Sequence, residues 1–160
     1  MMTRAYHGTT FLFEKFNCPA YFTDDFVTAQ FFAKAFGNDI ERIYDCELYM
    51  KNPLIVDLHG QSWGGFFLDD EELQQKCIEF AAAGDESELE YFKQEGLTAG
   101  VLADYVQDAG FSACGFNPSH SPRYDSLIMM NCKEENDRTS TQIVMFYADD
   151  IIIKNRSDQV

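Results

Sequence analysis

Strand-like runs occupy both ends of this 160-residue chain and bracket a middle segment, residues 69–110, whose apolar spacing is helical. That order constrains the fold more than any other feature. Strands, then a helical insertion, then strands read as an α+β domain rather than as repeating βαβ units. Near the front, residues 3–8 read as a strand running into Gly8, and Ala20-Tyr21-Phe22 as a second. Thr23-Asp24-Asp25 supplies small oxygens that accept the orphan N–H groups of a helix N-terminus. The helix is expected to run to about Phe36, with Phe26, Ala29, Phe32, Ala33 and Phe36 on one face, and to stop at Gly37-Asn38. Phe11, Phe13 and Phe16 fall in a short turn or helix before Pro19.

Residues 43–50 alternate like a strand, Asn52-Pro53 breaks it, and Leu54-Ile55-Val56 is a second short apolar run. A glycine-rich loop is expected over residues 60–65. The insertion reads as three helices, the first opening on Asp69-Asp70-Glu71-Glu72 and ending before Gly84, the second over 86–95, the third over 98–110. Strands return at residues 110–116, 124–130 and 142–147 and at Ile151-Ile152-Ile153, with residues 131–141 as a polar loop. The length suits one domain spanning residues 1–160, large enough to bury a true core, and 15 phenylalanines are available to fill it.

The formal charge of −15, from 27 acids and 12 bases, argues against direct nucleic-acid binding, whose affinity comes from neutralising phosphates. Residues 69–95 hold ten acids against two lysines, a net −8. Such a run is most simply a solvated helical face; the sharper alternative is a docking surface for a basic partner. Five dispersed cysteines without a CxxC pair fit neither a disulfide framework nor a zinc site. The N-terminal residues carry no secretory h-region and no apolar run reaches membrane-spanning length, so no membrane association and a cytoplasmic location are expected.

The chemistry-bearing residues begin with Tyr6-His7-Gly8-Thr9, where an imidazole at a strand end stands beside a backbone that a ligand can approach closely. Alone, a histidine next to a glycine is usually a turn residue. Read together with Tyr21-Phe22-Thr23-Asp24, Ala29 and Phe32, it forms a spaced pattern. A small residue follows Tyr21 by eight positions and an aromatic one follows three later. Gln142-Ile143-Val144-Met145-Phe146, ending in Asp149-Asp150-Ile151, opens a late strand.

This pattern resembles the ADP-ribosyltransferase superfamily, in particular the diphtheria-toxin and poly(ADP-ribose) polymerase branch with its His–Tyr–Glu triad. It is similar also to small phage transferases of the polyvalent-protein type, which share the Asn-Pro-Leu-x-x-Asp segment seen at residues 52–57. Those often carry Gly-Tyr-Asp-Gly, imperfectly matched by Tyr124-Asp125-Ser126. The resemblance covers most of the chain, with sharp motifs at about fifteen residues.

The resemblance implies a fold of two packed antiparallel or mixed sheets with a helical insertion, and NAD as substrate without a metal. It implies that His7 bonds the adenine-side ribose, that the Gly8 backbone pairs with the nicotinamide amide, and that Tyr21 and Phe32 sandwich the nicotinamide ring. Thr9, Phe22, Thr23 and Ala29 would complete the pocket, although Tyr21 and Phe32 read equally well as core aromatics. Gln142 takes the place of the catalytic glutamate, which stabilises an oxocarbenium-like transition state and holds a ribose hydroxyl. Gln142 departs from the pattern: an amide carries no negative charge and takes no proton. Single ADP-ribose transfer is therefore expected rather than chain growth, with Asp125 or Asp150 as candidate sources of the missing charge.

His59 and His120 read as surface residues. No GxGxxG supports a Rossmann site, and no histidine-partner signature supports thiol catalysis. Three functions follow. One is a mono-ADP-ribosyltransferase acting on a protein target, with basic or nucleic-acid-binding proteins as the candidates, in the manner of a phage effector or anti-CRISPR-like protein. The second is an NAD glycohydrolase, and the third a non-catalytic acidic binding or inhibitor protein.

Overall fold

The structure is a computed structural model that describes residues 1–18, 20–35, 40–60 and 125–159. Seven strands are present among them: β1 (Met2–Thr9), β2 (Ala20–Thr23), β3 (Glu41–Tyr49), β4 (Pro53–Asp57), β5 (Ser126–Lys133), β6 (Thr139–Met145) and β7 (Ile151–Gln159). One α-helix, α1 (Phe26–Ala35), follows β2. The strands form one sheet in the order β4-β5-β6-β2-β1-β3-β7. All neighbours are antiparallel except β4 and β5, which run parallel.

The expected α+β architecture of two packed sheets with a helical insertion is thus overturned: the described residues form a single, mostly antiparallel sheet with one short helix. Alternation along a strand specifies which side chains share a face, and it leaves the edge partner open. Here β2 pairs with β1 on one side and β6 on the other, so the front and back of the chain join one ladder. The expected insertion, the strand at 110–116 and His120 lie outside the described residues. No helix among the described residues is long and apolar enough to cross a membrane.

The strands begin and end close to where composition puts them, with two differences. Residues 131–141 are not one polar loop, because β5 continues to Lys133 and β6 starts at Thr139. The reversal takes only residues 134–138, closed by Glu134 N–H to the Arg138 carbonyl (2.8 Å) and by Asp137 at φ 63. The isoleucine run extends to Gln159, with an irregularity opposite Asp45 and Cys46.

One face of the sheet carries the main apolar cluster, with Ala5, Ala20, Phe22, Tyr44, Cys46, Leu48, Ile143 and Met145 among its members. The loop after β1 lays Phe13 and Phe16 over it. Tyr44 is fully buried, and its ring stacks on Phe13 at 4.4 Å. Its hydroxyl accepts from Phe13 N–H (3.0 Å) and can donate to the Phe11 carbonyl (3.2 Å), so this buried phenol is not left unpaired. Burial pushes the Cys46 thiol up to about 12, which leaves it an inert apolar filler.

The opposite face holds α1. Asp25 caps the helix, accepting from Thr28 N–H (3.2 Å) and the Thr28 hydroxyl (2.7 Å), and Thr23 Oγ1 accepts from Asp25 N–H. The helix then rests on β1 at Gly8, with Ala29 and Ala33 completely buried beneath it. A Cβ on Gly8 would stand 1.8 Å from the Ala29 carbonyl oxygen, a backbone atom that no rotamer can move aside. Gly8→Ala is therefore expected to lift the helix off the strand and destabilise the fold by about 1–3 kcal/mol or more. Thermal unfolding of the purified variant reads this, and an unchanged Tm would contradict the packing described.

Candidate functional site

Side chains alternate across a sheet, and this sorts the residues singled out in the sequence into two groups. Gly8 lies on the face covered by α1. Tyr21 and Thr23 of β2 share that face, because Tyr6 registers with Thr23 and Tyr6 meets Phe26 of the helix. Gln142 registers directly with Thr23 and joins them. From the helix, Ala29 packs inward, and Phe32 lies one turn beyond Thr28 on the same flank. That flank faces the β5–β6 reversal, since Asn136 Nδ2 donates to Thr28 Oγ1 (3.3 Å). Gly8, Tyr21, Thr23, Ala29, Phe32 and Gln142 are thereby gathered about one face.

His7, Thr9 and Phe22 belong to the other face. His7 sits edge-on to Phe16 (5.1 Å) and Phe13 (6.2 Å) and against Phe22 (5.7 Å). Its Nδ1 lies 2.6 Å from the Tyr21 carbonyl oxygen. A carbonyl only accepts, so Nδ1 carries the proton and Nε2 is the acceptor nitrogen of a neutral ring. Burial lowers the His7 pKa, against the raising effect of that hydrogen bond. Thr9 is buried, and its hydroxyl accepts from Phe11 N–H. Across the seam between β1 and β2, Tyr6–Thr23 is a single register pair among the described residues, and the His7–Tyr21 bond is a side-chain rung beside it.

The residue the sequence reading missed is Glu134. It is only 6% exposed. Its Oε1 accepts from Ser140 Oγ (2.7 Å), its Oε2 accepts from Gln142 Nε2 (3.0 Å), and Ser140 in turn accepts from the Thr23 hydroxyl (3.2 Å). Burial raises the carboxyl above the ordinary glutamate range, partly offset by the bonds from Ser140 and Gln142. Glu134 was hidden because residues 131–141 read as one polar loop. The available signal was the i, i+2 step from Cys132 to Glu134, which continues strand alternation past the apolar run.

Arg138 fastens the same reversal to the helix cap. Its Nε and Nη2 reach Asp25 at 2.5 and 3.0 Å, and this guanidinium, with the Thr28 bonds, holds the Asp25 carboxyl down at about 2.

The carboxylates considered earlier, Asp125 and Asp150, lie near one another, and neither is the partner of the Glu134–Gln142 bond. Asp125 accepts the backbone N–H groups of Lys51 (2.7 Å) and Asn52 (3.0 Å) and so fixes the turn into β4. Asp150 ends a one-turn 3-10 helix, and burial, then the neighbouring Asp125, raises its pKa. The Gln142 amide is bonded to Glu134 instead. Among the described residues no group of three His, Cys, Asp or Glu side chains is placed to hold a metal.

NAD asks for an aromatic face, acceptors for ribose hydroxyls and negative charge near the scissile carbon. Tyr21, Phe32, Gln142 and Glu134 are of those chemical types: Tyr21 and Gln142 share one sheet face, Glu134 is bonded to Gln142, and Phe32 belongs to the helix lying over that face. At Gly8 the close approach is taken by the Ala29 carbonyl. No family model, no curated protein and no solved structure matches this chain.

Glu134, buried, and His7, half-buried, make stability depend on pH in predictable directions. Glu134 has its folded pKa raised, so its contribution is present at low pH and is lost as pH rises from the ordinary carboxylate range through the raised value. His7 has its folded pKa lowered, so its contribution is present above the ordinary histidine range and is lost as pH falls. Chemical denaturation followed across pH should show Glu134→Gln without the first slope and His7→Gln without the second. Slopes identical to those of the parent chain would contradict both assignments.

Proposed function

We propose that this chain binds NAD and transfers its ADP-ribose to a protein. The reading rests on the sequence resemblance, and the observation that supports it best is that Tyr21 and Gln142 share one sheet face, over which lies the helix that carries Phe32. These residues lie 121 positions apart at the extremes, and two of them are held on strands that register through Thr23 and Gln142.

In this reading the flat faces of Tyr21 and Phe32 take up the nicotinamide ring. Breaking the bond from nicotinamide to ribose leaves positive charge on the ribose carbon. Gln142 offers an amide oxygen to a ribose hydroxyl but accepts no proton. An acceptor nucleophile must then arrive with its own means of losing a proton, which suits a single transfer and disfavours chain growth. His7 is neutral and lies on the far face, bonded to the Tyr21 carbonyl. It acts here by fixing the Tyr21 backbone, with any ribose contact left to Nε2.

The test uses NAD labelled in its adenosine half, the full-length protein and a cell lysate. The expected result is label on a macromolecule, with NAD affinity reduced about tenfold in Tyr21→Ala. Label released as free ADP-ribose with none on protein would replace transfer by hydrolysis. Absence of both NAD binding and turnover would remove the reading altogether, leaving an acidic binding protein. Turnover persisting in Tyr21→Ala and Gln142→Ala would remove the site assignment.

A further inference from the structure

We propose that Glu134 is a positioning residue: it locks the Gln142 side chain so that the amide oxygen, rather than the amide nitrogen, is presented to the ligand. This rests on the NAD reading above and deepens it. An amide has one donating and one accepting end, and unconstrained it can turn either way. An ionised carboxylate only accepts. Glu134 Oε2, 3.0 Å from Gln142 Nε2, therefore admits one orientation, with Oε1 of Gln142 directed away from Glu134.

The lock is itself built in. Glu134 cannot swing away because Ser140 Oγ holds its other oxygen at 2.7 Å and Thr23 Oγ1 holds Ser140. Its backbone is closed into the reversal by Arg138. Arg138 is in turn clamped by Asp25 at the helix cap. A carboxylate this buried costs stability unless its acceptors are used. Here each oxygen has a donor, and one of those donors is the residue standing where the resembled family has its glutamate. The acceptor that a glutamate would offer alone is in this chain made by two residues, Gln142 supplying the oxygen and Glu134 its direction.

The decisive comparison is among the parent chain, Glu134→Gln and the exchanged pair Glu134→Gln with Gln142→Glu. In the single variant residue 134 gains a donor, both amide orientations become satisfiable, and kcat/KM for NAD should fall on the order of 10- to 100-fold. In the exchanged pair the bond re-forms with its direction reversed, amide at 134 donating to carboxylate at 142. An acceptor again faces the ligand, and kcat/KM should return to at least the parent value. Unfolding of each variant is measured alongside.

A merely structural Glu134 would shift Tm and leave kcat/KM of the folded protein unchanged in the single variant, which would overturn the proposal. A folded exchanged pair that stays impaired would overturn it as well, and this comparison decides the matter even where the single variant fails to fold. If the parent chain neither binds nor turns over NAD, the functional reading falls and the proposal with it. NAD binding by the parent together with an unimpaired Glu134→Gln sinks the proposal alone.

Discussion

The bond from His7 Nδ1 to the Tyr21 carbonyl spans the narrowest point of the sheet. On one side lie β1, β3 and β7, tied by long antiparallel registers; on the other lie β2, β6, β5 and β4. Between the halves the described backbone registers at one pair, Tyr6–Thr23. A side chain supplying an extra rung there does what a longer ladder would do, but it depends on protonation. Neutral His7 donates from Nδ1 and tolerates its phenylalanine surroundings. A charged ring would have to be desolvated among Phe13, Phe16 and Phe22.

The helix depends on this seam and also reinforces it. Tyr6 and Gly8 of β1 meet Phe26 and Ala29 of α1, while the cap residue Asp25 is held by Arg138 from the far half of the sheet. The helix and the β5–β6 reversal therefore brace the two halves against each other. The polar chain Thr23–Ser140–Glu134–Gln142 runs along the same junction. Buried polar networks are stabilising only when fully satisfied, and each member of this one has its partner. Rigidity needed by the fold is in this way delivered to the residues of the candidate site.

Much of this was legible in the residues themselves. A helix N-terminus at Thr23-Asp24-Asp25 and the strands around Tyr21, Ile43 and Gln142 follow from local preferences that act within a few positions. The spacing from Tyr21 to Ala29 to Phe32 marked a strand-to-helix unit, and position 8 proves to be glycine because the Ala29 carbonyl lies directly over it. The placement of His7 was not legible. Alternation says that His7 and Gly8 point to opposite faces, but not which face would hold Tyr21, since that depends on the register between β1 and β2. Glu134 was missed for a related reason: in a run of charged residues, nothing local distinguishes the one carboxylate that turns inward.

The sequence by itself determined the local units, namely where strands run, where α1 starts, and which small and aromatic residues recur at fixed spacing, because these depend on neighbours within a turn or two. Only the tertiary structure decided that the described strands form one sheet rather than two. It also decided that Tyr21 and Gln142 share a face while His7 does not, and that a buried glutamate stands behind Gln142. Edge pairing and register join residues more than a hundred positions apart, and no short-range preference encodes them.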